Sequence, residues 1–322
     1  MNLSEFESKL NQWGHDQVPF LFLVDFEMEN LLAWKKSEVP NDILFSIRGF
    51  SNATPSVFRR TAMSLTKFPI SFPEYQAKFN LVKDGINRGD SYLTNLTIKT
   101  KINIDWPLEE LFFKSQAKYK FCWKNRFLAF SPEAFIEMNG ASINAFPMKG
   151  TIDASLPDAE MVIMSDAKEL SEHVTIVDLI RNDLSAVATR VNVNRFRYVE
   201  KIHTNEKDLL QISSEIGGML PGDYARHIGS VLIALLPAGS VSGAPKRKTL
   251  QIILEAEQEK RGYYTGVFGY FDGKNLDSGV LIRFIEQNGN DFYYRSGGGI
   301  TAQSSAMKEY SEAIDKIYVP ID

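Results

Sequence analysis

Short apolar runs and alternating apolar and polar positions predict strands along much of this chain. Such runs are VPFLFLVDF, DILFSIRGF, SYLTNLTIKTKINI, YKFCWKNRFLAFS, AFIEMNGASINAFPM, QISSEIGGML, YTGVFGYFDG, SGVLIRFIEQ and DFYYRS. A period of two is typical of strands that bury one face. The Asn139-Gly140 pair inside the fifth run predicts a hairpin turn. We therefore expect a chain rich in strands, including its first 70 residues.

Four segments instead repeat apolar residues every three or four positions, as helices do. They are residues 72–90, 166–188, 245–262 and 305–319. Gly89 predicts the end of the first helix, and Pro245 predicts the start of the third. The second helix has a predicted buried stripe of Leu170, Val174, Val177, Ile180 and Leu184. Helices interleaved with strands that tight turns join predict an α+β fold with antiparallel sheets.

Composition and charge narrow the class of protein. The chain has 322 residues, of which 44% are hydrophobic and 24% charged, with a formal net charge of −4. We expect one globular domain over residues 1–322. The charge pattern predicts no nucleic-acid contact, and the apolar runs fall short of the ~20 residues that span a bilayer. The polar start predicts no signal peptide, and Cys122 as the single cysteine excludes a disulfide framework. A cytoplasmic location is the resulting expectation.

The stretch INAFPMKGTIDAS, residues 143–155, places Lys149 at the end of an apolar run and directly before Gly150 and Thr151. A charge at a strand exit is the simplest interpretation, because strands usually end in polar turns. The alternative is that this lysine takes part in chemistry.

Two predicted helices carry pairs of glutamates three residues apart, Glu169 with Glu172 and Glu309 with Glu312. This spacing puts both carboxylates of a pair on one helix face, and Lys316 continues the second face. Each pair alone is typical of a solvated acidic face. Two pairs that face each other across a cleft would instead form an all-oxygen site suited to Mg²⁺, which keeps water ligands that substrate oxygens can replace.

Glycine-rich loops and one arginine indicate anionic ligands. PAGSVSGAPK leads into a predicted helix, and GGG ends a predicted strand. Backbone N–H groups in such loops bind phosphate or carboxylate, although tight turns alone would also explain them. Arg283 lies inside the apolar strand SGVLIRFI and needs an anion, either a partner carboxylate or a substrate. Together these groups suit a small substrate with more than one carboxylate and an oxygen leaving group.

Six motifs occur in the order found in chorismate-utilising enzymes: SPEAFIEM with FPMKGT, KELSEHVTIVDLIRNDL, PAGSVSGAPKRKTLQII, YTGVFGYF, VLIRF and SGGGITAQSSAMKEYSEAIDK. Residues 74–318 resemble this family, and within it they most resemble component I of aminodeoxychorismate synthase. The resemblance implies two large antiparallel β-sheets packed together with flanking helices, and an active site in a cleft between them. It also implies a catalytic part over residues 74–320 after a shortened, β-rich N-terminal part, 1–73.

The resemblance implies a role for each residue that matches a family motif. Glu172 and Glu312 match the carboxylates that bind Mg²⁺, and Glu169 and Glu309 match the pair that acts through water. The positions that hold the two carboxylates of chorismate match Thr151, Ser242, Arg283, Lys316 and the backbone amides of Gly297, Gly298 and Gly299. Tyr293 falls where many members have a tyrosine that faces the substrate.

Lys149 distinguishes the aminating members of the family. Aminodeoxychorismate synthases resemble this chain in having lysine before the Gly-Thr pair, whereas anthranilate synthases have alanine there. In that subgroup the lysine is proposed to attack C2 of chorismate, after which the C4 hydroxyl leaves, ammonia adds at C4 and the lysine departs. A competing view gives the lysine an acid/base role. Attack requires a neutral amine, which burial and nearby cations favour and carboxylates oppose.

Three departures from the family pattern refine the expected reaction. Leu93 cannot activate water, which argues against isochorismate formation. Gln211 stands where anthranilate and salicylate synthases have a histidine linked to pyruvate elimination, and glutamine transfers no proton at neutral pH. An L-L-E-S segment, which holds the feedback tryptophan in relatives, is missing, so we expect no tryptophan regulation.

The expected function is Mg²⁺-dependent amination of chorismate to 4-amino-4-deoxychorismate, in para-aminobenzoate and folate biosynthesis. The sequence shows no cysteine-based glutaminase segment. We therefore expect a separate glutamine amidotransferase subunit as the source of ammonia, and a separate aminodeoxychorismate lyase that consumes the product. The alternatives are anthranilate synthase component I and a non-catalytic relative that only binds chorismate.

Overall fold

A computed structural model describes residues 1–54, 63–202 and 208–321 of the chain. Its helices are α1 (Leu3–His15), α2 (Phe72–Asn87), α3 (Leu108–Lys114), α4 (Ala159–Ser165), α5 (Ala167–Ser185), α6 (Ile228–Leu235), α7 (Gly239–Ser242), α8 (Lys246–Glu257) and α9 (Ala306–Asp315). None of these helices is long and apolar enough to cross a membrane.

The strands lie between these helices, singly or in consecutive runs. They are β1 (Phe20–Val24), β2 (Leu31–Lys35), β3 (Ile43–Ile47), β4 (Phe50–Ser51), β5 (Leu65–Phe68), β6 (Leu93–Ile104), β7 (Tyr119–Trp123), β8 (Phe127–Ser131), β9 (Ala134–Asn139), β10 (Ser142–Ala145), β11 (Met148–Asp153), β12 (Thr189–Ile202), β13 (Leu209–Met219), β14 (Gly243–Ala244), β15 (Val267–Phe271), β16 (Asn275–Val280), β17 (Phe284–Asn288) and β18 (Asp291–Ile300).

The chain forms two units, and each unit is assembled from three separate segments. The first unit takes residues 1–39, 133–240 and 266–280, and the second takes 40–132, 241–265 and 281–322. Each has one large antiparallel sheet with flanking helices. The strand order is β11-β13-β10-β9-β16-β15-β1-β2 in the first, with β12 beside β13, and β14-β6-β18-β17-β8-β7-β3-β4 in the second, with β5 beside β6. The predicted α+β class with two large antiparallel sheets is confirmed. The predicted single domain and its division after residue 73 stay predictions.

The first unit buries an apolar strand completely and covers its sheet with a helix that alternation did not predict. Every residue of β1 is fully buried, and the strand lies between β15 and β2. Helix α1 packs against α6, and its Phe6 and Leu10 are buried. Asn2 and Glu5 form a capping box at its start. This pair is a helix signal that the search for alternating residues did not detect. The first 73 residues are therefore β-rich but not purely β.

Helix α5 turns a different face toward the sheet than its apolar residues predicted. Leu170 and Val174, two members of the predicted buried stripe, are 39% and 47% exposed. Two polar residues, Glu172 and His173, are buried instead, together with Ile176 and Val177. The predicted stripe is therefore wrong in the first half of the helix. Polar contacts with the sheet, described below, fix the rotation of α5.

The second unit packs α2, α8 and α9 against β6 and β18. The predicted apolar face of α2 is confirmed, since Phe79, Val82 and Ile86 join one buried cluster with β6 residues. The helix ends at Asn87, and Gly89 follows with a φ of +80°, a left-handed conformation that glycine adopts without strain. This confirms the predicted end of the helix.

Candidate active site

Lys149 is the second residue of β11 and does not mark a strand exit, which corrects that interpretation of the sequence. The pairing of β11 with β13 shifts by one residue between Met148 and Thr151, and Gly150 adopts a φ of +83° there. Such a bulge re-aims the side chains beside it. The Lys149 Nζ lies 2.7 Å from Oε2 of Glu172, whose side chain is only 4% exposed. The lysine is thus held by a buried carboxylate on α5.

Glu169 reaches the same bulge because Gly150 has no side chain. A Cβ atom at Gly150 would lie 2.8 Å from Oε2 of Glu169, closer than real Cβ contacts allow. Asp166 caps the start of α5 by accepting a hydrogen bond from the Glu169 N–H at 2.9 Å. Both glutamates of the first predicted pair therefore lie beside β11 in the first unit. Thr151 is exposed in the same strand, and its cross-strand partner is Gln211.

His173 fastens α5 to β13 and was not singled out in the sequence. Its Nε2 lies 2.7 Å from Oγ of Ser214, and this Oγ accepts a hydrogen bond from the backbone N–H of Arg197 at 2.9 Å. Burial lowers the pKa of His173 to about 4, with Arg197 and Lys149 adding to the effect. The imidazole is neutral at physiological pH and acts as a hydrogen-bonding tether. The available signal was its position next to Glu172, one of the predicted metal-binding glutamates.

In the second unit, Gly297, Gly298 and Gly299 lie in β18 opposite Thr97, Leu96 and Asn95 of β6. A Cβ atom at Gly297 would lie 2.3 Å from the backbone oxygen of Leu96, so the two strands approach as closely as glycine allows. The predicted glycine segment is therefore a packed strand and not a loose turn.

Helix α9 presents its glutamates and Lys316 to this glycine strand. A Cβ atom at Gly298 would lie 3.5 Å from Oε1 of Glu312, 3.5 Å from Nζ of Lys316 and 3.7 Å from Oε2 of Glu309. Lys316 Nζ contacts Glu312 at 2.6 Å and donates to the Gly297 carbonyl at 2.9 Å. Glu309 is 3% exposed, so the solvated acidic face is wrong for this residue. Burial raises the pKa of Tyr75, and the two glutamates beside it raise the pKa further.

Arg283 lies among tyrosines and, within the described residues, forms no ion pair. Its guanidinium carbon is 5.2 Å from the ring centre of Tyr318, and its Nε is buried without a hydrogen-bond partner. Burial raises the pKa of the neighbouring Tyr264 to about 12, so this hydroxyl stays protonated. The sequence allowed two anions for Arg283, a carboxylate of the protein or a substrate. The structure gives no support to the carboxylate of the protein.

Two further predicted residues take other positions in the second unit. Tyr293 stacks under Lys99, whose Nζ is 4.5 Å from the ring centre. The next residue, Tyr294, is among those near Arg283. Because successive strand residues point to opposite faces, Tyr293 points to the other face of β18. Ser242 is fully buried at the end of α7, directly before β14 pairs with β6.

Each unit therefore carries two glutamates and a lysine ammonium bound to one of them. Carboxylate oxygens are the donors that Mg²⁺ prefers, and a lysine ammonium takes the place of a cation at Glu172 and at Glu312. Across the described ranges, no three His, Cys, Asp or Glu side chains come together as a metal-binding group. The donor chemistry fits Mg²⁺, and the metal site itself stays a prediction.

Comparisons with known proteins agree on one family. The family model for chorismate binding enzymes matches residues 15–322. An uncharacterised PabA-like protein of Pasteurella multocida is 49% identical over 323 residues, 100% of both chains. Aminodeoxychorismate synthase component 1 of Escherichia coli is 32% identical over 261 residues, 76% of this chain and 56% of the relative. The crystal structure of anthranilate synthase component I from Streptococcus pneumoniae gives a TM-score of 0.65 at 27% identity, covering 79% of this chain and 58% of that one.

Proposed function

The chain belongs to the chorismate-binding enzymes, and from this we propose that it aminates chorismate to 4-amino-4-deoxychorismate with ammonia. The observation that carries the proposal is Lys149, a lysine held at a strand bulge by a carboxylate that is 4% exposed. The likeness to an aminodeoxychorismate synthase over 76% of the chain supports the same reaction.

The substrate's carboxylates determine how it would bind. Arg283 is half-buried, its Nε is buried without a hydrogen-bond partner, and the side chain lacks an ion-pair partner among the described residues, which suits a carboxylate of the substrate. Ser242, Lys316 and the amides of Gly297–Gly299 are the other predicted anion-binding groups of the second unit. In the first unit, Thr151 adds a hydroxyl close to Lys149 along β11.

Lys149 would act as a nucleophile in its neutral form. Nζ forms a bond to C2, the two ring double bonds shift, and the C4–oxygen bond breaks, so that the hydroxyl leaves with a proton as water. Ammonia then forms a bond to C4, the double bonds shift back, and the C2–nitrogen bond breaks to release the lysine amine. The sum is chorismate plus ammonia giving aminodeoxychorismate plus water. Glu172 lies 2.7 Å from Nζ and keeps the amine beside the bulge.

The four glutamates are the residues that would hold Mg²⁺. Glu172 and Glu312 would bind the ion directly, and Glu169 and Glu309 through water. When bound, Mg²⁺ supplies a Lewis acid that stabilises negative charge on substrate oxygens. The contacts of Lys149 with Glu172 and of Lys316 with Glu312 then have to loosen, because each ammonium and the metal ion compete for the same carboxylate.

The test is product identification by mass after incubation with chorismate, Mg²⁺ and an ammonium salt. Wild-type protein should give aminodeoxychorismate, and Lys149→Ala should lose it. Lys149→Arg should be inactive as well, because a guanidinium keeps the charge but provides no neutral amine. Lys201→Ala is the matched control, since Lys201 forms a comparable 2.6 Å pair with Asp208 but is 52% exposed.

A trapping experiment separates the two roles of the lysine. Without ammonia, a nucleophilic lysine forms a covalent adduct, so denatured wild-type protein should gain the mass of chorismate less water. A normal amination rate in Lys149→Ala would refute the proposal. Amination without any adduct at short reaction times would favour the acid/base role.

Anthranilate synthase component I is the second candidate, favoured by the 27% identity to the Streptococcus pneumoniae structure. Gln211 argues against it, because the side chain opposite Thr151 is an amide that transfers no proton at neutral pH. Anthranilate as the product would replace the leading proposal. Tight chorismate binding without turnover under any amine source would favour a non-catalytic relative.

A glutamine amidotransferase subunit is the proposed source of ammonia, and the cytoplasm is the proposed location. A separate aminodeoxychorismate lyase is proposed to consume the product. Glutamine should support amination only after such a subunit is added, whereas ammonium salts should support it without one. Amination from glutamine by the purified chain alone would contradict this partner.

A further inference from the structure

The ion pair of Glu257 and Arg261 lies fully buried in the second unit. The two side chains are 2% and 1% exposed. The Nε–H of Arg261 donates to Oε2 of Glu257 at 2.9 Å, and an Nη2–H donates to Oε1 at 2.6 Å. A buried ion pair is weak evidence for stability, because apolar residues of equal volume often serve as well. What this pair holds in place is therefore the more informative question.

Arg261 uses all five of its N–H donors. Besides the two bonds to Glu257, it donates to the carbonyls of Val241 at 2.8 Å and Asn95 at 2.7 Å, and to Oγ1 of Thr265 at 3.3 Å. Oε1 of Glu257 in turn accepts from both the N–H and the Oγ1 of Thr97, each at 2.9 Å. One ion pair thus binds α7 and β6 together.

These contacts fall where β6 lacks a strand partner. One edge of β6 pairs with β18 at 94–102, and the opposite edge pairs with β14 at 93–94 and with β5 at 101–104. Between these, no described strand pairs with residues 95–100 on that edge. The Asn95 carbonyl and the Thr97 N–H of this gap bond instead to Arg261 and Glu257. The ion pair therefore supplies the hydrogen bonds that a neighbouring strand would otherwise make to Asn95 and Thr97.

The gap lies directly behind the predicted anion-binding groups. Asn95 and Thr97 are the cross-strand partners of Gly299 and Gly297, and the Val241 carbonyl is adjacent to Ser242. The close approach at Gly297 means that any displacement of β6 is passed on to β18.

We propose that Glu257 and Arg261 are positioning residues that fix Ser242 and the Gly297–Gly299 amides at one spacing, and so prearrange a cradle for a substrate carboxylate. Neither residue touches the substrate. The inference rests on the proposed function for the assignment of that carboxylate. It also explains why a charge pair is buried here at a cost in stability. The rigid guanidinium with its five donors can hold two separate segments, α7 and β6, at a fixed distance.

Equilibrium binding of chorismate tests the proposal without relying on amination. Arg261→Lys keeps the charge but loses the fork, and Glu257→Gln keeps the shape but loses the charge. Both should weaken chorismate binding on the order of tenfold or more, because the cradle is misplaced by fractions of an ångström. KM should rise with the dissociation constant, while kcat at saturation changes far less.

Lys120→Met is the control for simple loss of stability. Lys120 is half-buried in the same unit and donates to the carbonyls of Phe112 and Ser115 at 3.0 and 2.8 Å, away from the cradle. Its melting temperature should fall, whereas its affinity for chorismate should stay at the wild-type value. If the Glu257 and Arg261 variants lose no more affinity than this control, the positioning role is refuted.

Hydrogen exchange in the wild-type protein covers the case in which the variants do not fold. A prearranged cradle predicts slow exchange of the Thr97 amide, which donates to Oε1 of Glu257, both without and with chorismate. Fast exchange that slows only after chorismate is added would overturn the proposal. Failure of the proposed function gives a different result, in which chorismate binds but the product is not aminodeoxychorismate.

Discussion

Replacing Gly150 by alanine tests whether Glu169 must reach the strand that carries Lys149. Gly150 has a φ of +83°, and a Cβ atom there would lie 2.8 Å from Oε2 and 3.4 Å from Cδ of Glu169. The clashing atoms belong to the end of a flexible side chain, so the carboxylate has to swing away. The fold should tolerate this movement, whereas the binding of Mg²⁺ by Glu169 and Glu172 should be weakened.

The expected stability loss has two parts. A left-handed backbone costs alanine about 1–2 kcal/mol, and moving Glu169 off its preferred rotamer costs about 0.5–1.5 kcal/mol more. Gly140→Ala is the matched control, because Gly140 has a φ of +57° in the β9–β10 hairpin and a Cβ atom there would have no neighbour within 4 Å. The control should lose only the stability that the left-handed backbone costs, about 1–2 kcal/mol.

Urea denaturation and steady-state amination at several Mg²⁺ concentrations are the two assays. The free energies of unfolding of the two variants should differ by less than about 1.5 kcal/mol, which is the rotamer part alone. The amination rate should fall on the order of tenfold or more in Gly150→Ala, because the carboxylate is misplaced, and should stay at the wild-type value in Gly140→Ala.

Two results would refute this reasoning. Equal amination rates in both variants would mean that the position of Glu169 has no role in the reaction. A much larger stability loss in Gly150→Ala than in Gly140→Ala would mean that the contact is a rigid part of the fold.

Further predictions follow from three single sites. Burial raises the pKa of Cys122 to about 12, so a thiol reagent at pH 8 should label it only after unfolding, and rapid labelling of native protein would contradict its burial. Because its pKa is higher folded than unfolded, Cys122 also contributes a stability that is lost as the pH rises above about 9, and Cys122→Ala should reduce that loss in urea titrations. Arg283→Lys should weaken chorismate binding about tenfold by losing the planar fork, whereas Arg88→Lys, 60% exposed, should bind normally in the same titration. Gly297→Ala should lose about 3 kcal/mol or more, since backbone atoms of β6 cannot yield as side chains do; a melting temperature near that of wild type would show that β18 can shift.

Local sequence signals predicted much of the fold and the paired arrangement of the site. Asn139-Gly140 forms the expected hairpin, with β9 and β10 on either side. The i, i+3 spacing placed both α9 glutamates over Gly298, and Lys316 extends that face as expected. These features depend on residues close in sequence, which is why periodicity was sufficient.

Features that depend on distant partners were not predictable. The rotation of α5 depends on His173 meeting Ser214, 41 residues away, and this contact outweighs the burial of Leu170 and Val174. The third helix was expected to continue to residue 262, but it ends at Glu257 because Gln258 adopts a φ of +58°. Arg261 lies beyond that end, and its hydrogen bonds to the carbonyls of Asn95 and Val241, which are distant in sequence, have no signal in the periodicity.

The assembly of each unit from three separate segments has a consequence for synthesis of the chain on the ribosome. Strand β1 ends at Val24, and its neighbour β15 begins at Val267, roughly 240 residues later. At about 5–20 residues per second, β1 waits on the order of 12–50 s for that partner. Throughout this interval the segment FLFLV, fully buried in the finished protein, has only the β2 hairpin to pair with. The nascent chain therefore stays prone to aggregation until β15 has been synthesised, and neither unit corresponds to a contiguous fragment that could be expressed separately.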